Sequence, residues 1–348
     1  MITIDGSYGE GGGQILRTSL ALSALLGKSV RIINIRKGRP TPGLKHQHLK
    51  SVEIMRELCN AEVKGARLGS TVVEFFPRNI IPKNRLRIDI GTAGSITLLI
   101  QTILPVLVFY PTMVEVEIVG GTDVRWSPTI DYLRYVTLKN LERIGVKAYV
   151  SVERRGFYPK GGGKVKLVVE PSKFLSPFVA IDRGHVKKVN VYSVAGSLPK
   201  HVAIRQMESA LNTLKYESKN YDNFELFGSY EVVNSHSRGS SCTVVASCEK
   251  SFLGADSLGE LGKPAEKVGL EAVEKLLNSL STGATFDRFM SDQILVFASL
   301  ADGNSEFSVE ELTGHVKTNI YVIEKLVERK IFEVEDKRVK VRGIGFKA

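Results

Sequence analysis

A repeated cycle of strand, glycine-rich turn, helix and strand most constrains the fold of this 348-residue chain. Ile2 to Ile4 precede GSYGEGGG and the helix pattern QILRTSLALSALL, which ends at Gly27 and is followed by SVRIINIR. Later segments repeat this order as RLRIDI, GTAGS, ITLLIQTILPVLVF and VEVEIVGG, and FDRFMSDQILVFASL repeats the helix. The cycle predicts an α/β (α+β) fold built from unequal copies of one unit, with the helices on one face of each small sheet.

Residues 185–279 have a different pattern. The alternating strand VKKVNVYSVAG is followed by the helix pattern HVAIRQMESALNTLK, two strand-like runs and a helix that ends near Leu280. The sequence therefore predicts two domains. One consists of residues 1–184 and 280–348, and a smaller α/β domain is inserted at residues 185–279.

The charge balance bears on which partners the protein could bind. The sequence has 48 Lys and Arg against 37 Asp and Glu, for a formal net charge of +11 at pH 7. A basic surface is typical of proteins that bind nucleic acid or another polyanion, and it equally serves solubility. Charge alone therefore leaves both interpretations open.

Cysteine content and hydropathy indicate where such a chain works. Its three cysteines include no CxxC pair, which argues against a disulfide framework or a zinc ribbon and favours a reducing compartment. The longest apolar run, residues 100–110, is interrupted by Gln101, Thr102 and Pro105 and is too short to span a bilayer. We therefore expect a cytoplasmic protein with no membrane segment.

The stretch GEGGGQILR, residues 9–17, places a carboxylate and several glycines directly before a helix. Glycine weakens a helix start unless the backbone must come close to another group. One interpretation is a tight turn that folds a strand back onto a helix. The other is a site for an anion or a metal-bound phosphate at the helix N-terminus, with Arg17 supplying fixed charge.

No common nucleotide-binding motif explains such a site. GEGGGQ lacks the last glycine of GxGxxG, and GGGKV lacks the Ser or Thr that follows Lys in a P-loop. In IRKGRPTPGLKHQHLK, residues 35–50, proline and glycine stiffen the chain between cations, so Arg36 and Arg39 indicate a shaped anion site. His46 and His48 have no third metal ligand nearby in the sequence, and we interpret them as ordinary polar residues.

The segment TGHVKTNIYVIEKLV, residues 313–327, carries an apolar stripe. Its spacing predicts a helix capped by Thr318 or Asn319, with His315 just before the N-terminus. A histidine in that position is commonly a capping or hydrogen-bonding residue. A neutral imidazole is also a good nucleophile toward phosphorus, and a helix N-terminus favours an anionic phosphate.

RGFYPKGGG, residues 155–163, by itself indicates a turn between strands. It occurs in one chain with GEGGGQILR, GRPTPGLKHQHL, GTAGS, GGTD, SDQ and HVKTN. With these motifs in this order, the sequence resembles the RNA 3′-terminal phosphate cyclases over nearly its whole length. The resemblance implies a larger domain of three βαβαββ units, similar to the repeats of enolpyruvyl transferases, and a smaller α/β insert.

The resemblance also implies an activity. Members of this family convert an RNA 3′-phosphate into a 2′,3′-cyclic phosphate at the expense of ATP. The enzyme is first adenylated on histidine and releases pyrophosphate, and AMP then moves to the RNA 3′-phosphate. The 2′-hydroxyl finally attacks the activated phosphorus and expels AMP. The implied cofactors are ATP with Mg²⁺ or Mn²⁺, and the implied partner is an RNA with a 3′-terminal phosphate.

Individual roles follow from the same resemblance. His315 would be the nucleophile that takes AMP, and Glu10 would be a metal or acid–base carboxylate. The polar set around the phosphates would be Arg17, Arg36, Arg39 and Gln47. The adenylate-binding set would be Gln101, Pro128, Phe289, Asp292 and Gln293. Phe289 stands where relatives can have a tyrosine, so the stacking ring is kept and the hydroxyl is lost.

Three alternatives belong to other functional classes. A catalytically inactive relative that acts as a ribosome-assembly scaffold is disfavoured because His315, Glu10 and Arg17 are all present. The basic charge and RGFYPKGGG disfavour an enolpyruvyl transferase. A plain RNA-binding module would not need a histidine nucleophile.

Overall fold

The computed structural model describes residues 1–217 and 224–347.

The first repeat occupies residues 2–76. The first repeat contains β1 Ile2–Asp5, α1 Gln14–Leu26, β2 Val30–Ile33, α2 His46–Leu58, β3 Glu62–Lys64 and β4 Val73–Phe76. Its sheet has the strand order β1-β2-β4-β3, in which β1 and β2 are parallel and the other pairs are antiparallel. The segment is therefore one βαβαββ unit.

The second repeat occupies residues 85–170. It contains β5 Arg85–Asp89, α3 Ile96–Leu107, β6 Val114–Gly120, α4 Ile130–Tyr132, the π-helical turn Leu133–Thr137, α5 Leu138–Glu142, β7 Lys147–Arg154 and β8 Gly163–Glu170. The strand order is β5-β6-β8-β7, again with only the first pair parallel. This repeat therefore has the same sheet topology as the first, with a broken second helix.

A different sheet follows the short strand β9 Val179–Ala180. Its elements are β10 Val186–Gly196, α6 Lys200–Glu217, β11 Glu225–Val233, β12 Gly239–Cys248, β13 Phe252–Leu258 and α7 Ala265–Ser281. The strand order is β11-β10-β12-β13, which differs from the order in the repeats. The apolar residues of this sheet and its two helices form a core cluster of their own.

The third repeat is split by that sheet. After α7 the chain continues through α8 Met290–Leu300, β14 Asn304–Ser308, α9 Gly314–Val327, β15 Phe332–Glu335 and β16 Arg338–Arg342. These strands and β9 form a sheet in the order β9-β14-β16-β15, with β9 and β14 parallel. Three sheets thus share one topology, which confirms the predicted fold class.

Local sequence signals explain where several helices begin and end. Gly27 ends α1 in the left-handed conformation, with φ 64°. The Ser95 hydroxyl caps α3 by accepting a hydrogen bond of 3.2 Å from the Leu98 amide. α3 is strongly apolar, yet no helix in the described part of the chain is long and apolar enough to cross a membrane.

The helices of the three repeats share one core. α1 packs against α3 and α9, and α8 packs against α9, so apolar residues from Ile4 to Val341 form one cluster. Burial alternates strictly along β6 and β8, because one face of the sheet meets the helices and the other meets solvent. The prediction that the helices cover one face of each sheet is confirmed for this repeat.

The loop at residues 155–162, between β7 and β8, is held by buried polar contacts. The Arg155 guanidinium lies 2.8 Å from Asp131 Oδ2 and 3.1 Å from Glu231 Oε2 of β11. The Gly156 amide donates to Thr122 Oγ1 at 2.9 Å. The prediction of a turn between strands is confirmed, and the turn also ties the second repeat to the sheet of β10–β13.

We expect Gly156→Ala to destabilise the protein. A Cβ at Gly156 would lie 2.6 Å from the Cα of Gly163 and would overlap the Gly163 nitrogen and the Gly120 oxygen. Backbone atoms in a sheet cannot withdraw easily, so urea denaturation should show a loss of about 2 kcal/mol in the free energy of unfolding. The control is Gly38→Ala, where an added Cβ meets no atom within 4 Å. Equal urea midpoints for the two variants would contradict the expectation.

Candidate active site

The glycine-rich loop between β1 and α1 lies against basic side chains. Gly9 and Gly11 have φ of 59° and 56°, which favour glycine. A Cβ at Gly12 would lie 3.3 Å from Arg39 Nη2 and 3.9 Å from His315 Cε1. Gly13, the N-cap of α1, has no side chain to bond the first-turn amides. The amide end of α1 therefore faces a cationic environment, which favours the interpretation as an anion site.

His315 lies in the first turn of α9, a position that corrects one prediction. The helix begins at Gly314, and the Thr313 hydroxyl caps it by accepting a hydrogen bond of 3.2 Å from the Val316 amide. The predicted caps, Thr318 and Asn319, are buried inside the helix instead. Thr313 provides the cap from an extended backbone, so the helix starts five or six residues earlier than the predicted caps imply.

Glu10, Arg39 and His315 meet in front of the glycine-rich loop. Nε2 of His315 lies 3.1 Å from Glu10 Oε2, and Arg39 Nη2 lies 3.7 Å from the same oxygen. The three side chains retain about two fifths of their surface exposed to solvent. The structure thus brings together residues from two loops and from the first turn of α9, three segments that are distant in sequence.

The electrostatic surroundings keep His315 neutral at physiological pH. Burial lowers the pKa of the His315 imidazole most, and the charges of Arg17, Arg39 and Arg288 lower it further. The Glu10 carboxylate acts in the opposite direction and raises the same pKa. The net effect lowers the pKa of His315 below its usual value of about 6.5, so the neutral imidazole is the favoured form at pH 7.

A wall of buried polar groups adjoins this site. Gln14 Nε2 donates to Asp292 Oδ2 at 2.8 Å, and Asn319 Nδ2 donates to the Asp292 carbonyl at 2.7 Å. Burial raises the pKa of Asp292 to about 7, although the Gln14 hydrogen bond and the Arg17 charge lower it in part. Burial also lowers the pKa of Arg17 to about 10. Arg17 and Asp292 line the same cavity, and the charge of each shifts the pKa of the other.

A cavity of about 40 Å³ extends from this wall between the helices. Arg17, Gln101, Asp292 and Gln293 line it, together with apolar residues of α3 and α8. Thr137 donates a hydrogen bond of 3.1 Å to Gln293 Oε1. The volume admits water but not a purine base, so a nucleobase needs these side chains to move apart or binds at the rim.

Phe289 and Pro128 both contact residues of the second repeat. The Phe289 ring, about a third exposed, packs edge-on against Tyr132 with a centroid distance of 5.8 Å. Its carbonyl accepts a hydrogen bond of 3.1 Å from Gln293 Nε2. Pro128 is buried, and its carbonyl accepts a hydrogen bond of 2.9 Å from Thr97 in the first turn of α3.

Gln47 and Arg36 hold loops in place. Gln47 Oε1 accepts a hydrogen bond of 3.2 Å from the Ser95 amide of GTAGS. Nη1 of Arg36 donates to the carbonyls of Thr41 and Gly43 at 2.8 and 2.9 Å. Part of the Arg36 guanidinium is therefore used within its own loop, whereas Arg39 points toward Glu10.

Comparison with known proteins identifies the family. The family model of the RNA 3′-terminal phosphate cyclases matches residues 8–332. The chain belongs to this family. The prediction made from the motifs is thereby confirmed, as is the prediction that the chain is an enzyme of this class.

Similar proteins named RNA 3′-terminal phosphate cyclase cover the whole chain. The protein of Hyperthermus butylicus is 49% identical over 357 residues, which span 100% of this chain and 99% of that protein. The protein of Thermococcus onnurineus is 48% identical over 348 residues, 99% of each chain. The protein of Pyrobaculum aerophilum is 45% identical over 350 residues, again 99% of each chain.

Sequence reasoning missed several residues of this cyclase-family site. His48 is buried beside Gly13, and burial together with Arg17, Arg36 and Lys45 lowers its pKa to about 3. Its Nδ1 accepts a hydrogen bond of 3.2 Å from the Lys45 amide. Thr18 donates to Asn319 Oδ1 at 2.7 Å. His48 lies inside the motif GRPTPGLKHQHL, which could have signalled it, whereas Thr18 lies just beyond GEGGGQILR and has a partner that is distant in sequence.

We expect the pKa of His315, measured by NMR titration of its Cε1 proton, to lie below 6.5. Glu10→Gln should lower it further, because the Glu10 charge raises the pKa in the wild type. His315→Ala removes the resonance and so assigns it. A pKa above 6.5, or an upward shift in Glu10→Gln, would show that the surroundings favour the imidazolium instead.

Proposed function

We propose that this protein cyclises RNA 3′-terminal phosphates with ATP through a covalent His315–AMP intermediate and an RNA-(3′)pp(5′)A intermediate. The observation that carries the proposal is the meeting of His315, Glu10 and Arg39 at the amide end of α1. An inactive ribosome-assembly scaffold, which is the alternative, would not need a neutral histidine among arginines. ATP and an RNA with a 3′-terminal phosphate are the proposed substrates.

In the first step a neutral nitrogen of His315 attacks the α-phosphorus of ATP. A bond forms between nitrogen and phosphorus, and the bond from that phosphorus to the bridging oxygen breaks to release pyrophosphate. The lowered pKa of His315 supports this role because the lone pair is available at pH 7. Arg17, Arg36, Arg39 and Gln47 are the proposed polar groups around the phosphates, where guanidinium donors offset the developing charge.

In the second step an oxygen of the RNA 3′-phosphate attacks the phosphorus of His315–AMP. The phosphorus–nitrogen bond breaks, and His315 returns to its free form. In the third step the RNA 2′-hydroxyl loses its proton and attacks the 3′-phosphorus, which expels AMP. Both steps need the phosphorus held in position for attack and the negative charge of the phosphates offset. Side chains on rigid helices can do both.

The adenylate is proposed to bind on the side of α8. Phe289 offers a ring face to the adenine, and Asp292 and Gln293 offer polar groups beside it. Gln101 lines the same cavity from α3, and Pro128 is proposed to pack nearby. The exposed part of Phe289 supports binding at the rim of the cavity rather than inside it.

Glu10 is the proposed ligand for Mg²⁺ or Mn²⁺. The described residues contain no group of three or more His, Cys, Asp or Glu that could hold a metal alone. A single half-exposed carboxylate nevertheless fits Mg²⁺, which commonly takes one or two carboxylates and completes its shell with phosphate oxygens and water. The ion would offset the negative charge of the triphosphate.

The division into domains and the location remain part of the proposal. We propose that residues 1–184 and 280–348 form the catalytic domain and that residues 185–279 form an inserted domain. The different strand order and separate core of β10–β13 support this division. A cytoplasmic location is proposed because all three cysteines are free and buried.

We expect His315→Ala to abolish incorporation of AMP from ATP and cyclisation of a 3′-phosphorylated RNA. Its matched control is His46→Ala, which removes an exposed histidine at the start of α2 and should keep both activities. Labelling with α-³²P ATP followed by mass spectrometry measures the adduct. His315→Ala should still convert RNA supplied as RNA-(3′)pp(5′)A, because the last step does not need the nucleophile. Labelling of His315→Ala at the wild-type rate would refute the mechanism.

We expect Arg39→Lys to lower kcat/KM for cyclisation by about tenfold. Lysine keeps the charge but cannot bind two phosphate oxygens with a planar pair of donors. The control is Arg31→Lys on β2, whose guanidinium pairs with Glu74 at 3.5 Å on the sheet of the first repeat. Unchanged kcat/KM at limiting RNA in Arg39→Lys would remove Arg39 from the phosphate site.

A further inference from the structure

One loop of the second repeat presents an unusual tryptophan. In each repeat a loop joins the second strand to the second helix, and in the first repeat it carries Arg36 and Arg39 while in the third it leads to His315. In the second repeat the corresponding loop is residues 121–129. It carries Trp126, which is 94% exposed and has φ 68°. A bulky residue rarely adopts that conformation, and burial does not explain it here.

The loop is held firmly on both sides of Trp126. The Thr129 amide donates to Asp256 Oδ2 at 2.8 Å, and the Thr129 hydroxyl lies 2.8 Å from that of Thr243. Arg125 Nη2 lies 2.9 Å from Glu260 Oε2. The contacts of Thr129 to β12 and β13 anchor the end of the loop that follows Trp126, and the indole is presented to solvent.

A second exposed aromatic residue stands on the neighbouring loop. Phe157 is buried and forms a β-bridge with Asp123, three residues before Trp126. Tyr158 follows it and is 75% exposed. The Lys160 amide donates to Ser237 Oγ at 3.0 Å, which anchors the far end of this loop. Arg125, Trp126, Tyr158 and Lys160 are called the Trp126–Tyr158 surface below.

Contacts through GTAGS connect the loops of this surface with Gln47. Gln47 accepts a hydrogen bond from the Ser95 amide, and Ser95 forms a β-bridge with Gly121. A Cβ at Gly161 would lie 2.7 Å from the Cα of Ala93, so the loop of Tyr158 rests on GTAGS. The loops that carry Trp126 and Tyr158 are therefore joined through GTAGS to Gln47 of the polar set.

We propose that the Trp126–Tyr158 surface binds the RNA upstream of its 3′-terminal phosphate by stacking bases on the two aromatic rings. This inference rests on the proposed function, because it takes the phosphate end of the RNA to lie at Arg39. Stacking tolerates any base, since every base has a π-face, and it suits an enzyme that recognises an end rather than a sequence.

The charges around the surface favour RNA over a protein partner. The two loops and the segments that adjoin them carry four exposed cations, namely Arg125, Arg154, Lys160 and Arg238. The carboxylate of Glu260 faces the surface from the turn after β13 and is paired with Arg125, and the exposed His236 lies on the turn before β12. Aromatic rings interleaved with cations match a polyanion that carries flat bases.

Intrinsic fluorescence provides a direct test, because Trp126 is the only tryptophan in the sequence. A 3′-phosphorylated RNA decamer should quench the wild-type emission in a saturable way, and inorganic phosphate should not. Binding of a labelled decamer without quenching would overturn the proposal. Quenching of equal size by ATP alone would also overturn it, because the indole would then report on the nucleotide.

Kinetics with a double variant provide the second test. Trp126→Ala/Tyr158→Ala should raise the KM for the decamer by about tenfold relative to the KM for a 3′-phosphorylated dinucleotide. Trp126→Phe in place of Trp126→Ala should bring the KM for the decamer most of the way back to the wild-type value, because phenylalanine keeps a stacking ring. The matched control is Tyr149→Ala on β7, which removes another exposed tyrosine and should leave both KM values unchanged.

The outcomes separate this inference from the proposed function. An equal KM for the decamer in the double variant and the wild type overturns the stacking surface, even if His315 takes AMP. Absence of His315–AMP in the wild type overturns the proposed function. In that case quenching by the RNA decamer still supports the surface, and binding without quenching still overturns it.

Discussion

Burial of one apolar face in each βαβαββ sheet is the constraint on which the rest of this structure depends. A four-stranded sheet with helices on one side cannot stand alone, because the far side of its helices would remain exposed. The three repeats solve this by packing α1 against α3 and α9 in a common core. The same packing brings the amide end of α1 to the first turn of α9, so the shared core also assembles Glu10, Arg39 and His315.

Buried charge joins the parts of the chain that the apolar core does not. Arg155 lies among Asp123, Asp131 and Glu231, and burial raises the pKa of Asp123 to about 6 even though Arg155 and two hydroxyl donors lower it in part. Removing one partner from such a cluster leaves a buried charge unpaired, which is costly. This cluster lies between the second repeat and β11 and, together with the small apolar cluster of Tyr132, Val136 and Val245, ties the sheet of β10–β13 to the second repeat.

The sequence predicted the parts of this structure that depend on local pattern. The repeated cycle of strand, glycine-rich turn and helix and the end of α1 at Gly27 follow from periodicity and turn chemistry. The motifs led to the correct family, and the resemblance to that family supplied the βαβαββ unit. The predicted start of α9 was wrong, because Thr313 caps the helix and Thr318 and Asn319 are buried within it. The environments of His48 and Asp292 could not be predicted, since their low and high pKa values come from burial among residues from several repeats.

The pKa values of His315 and Asp292 are shifted in opposite directions, and both shifts suit chemistry on a phosphate. Burial and arginine charges together lower the pKa of His315, so protonation is suppressed where an anion is to bind. Burial raises the pKa of Asp292, so it gains a proton more readily than an ordinary carboxyl group and adds less negative charge near that anion. Because the arginines remain cationic throughout the neutral range, the site keeps a positive field while its histidine stays unprotonated. A phosphate is therefore attracted without silencing the group that is proposed to attack it.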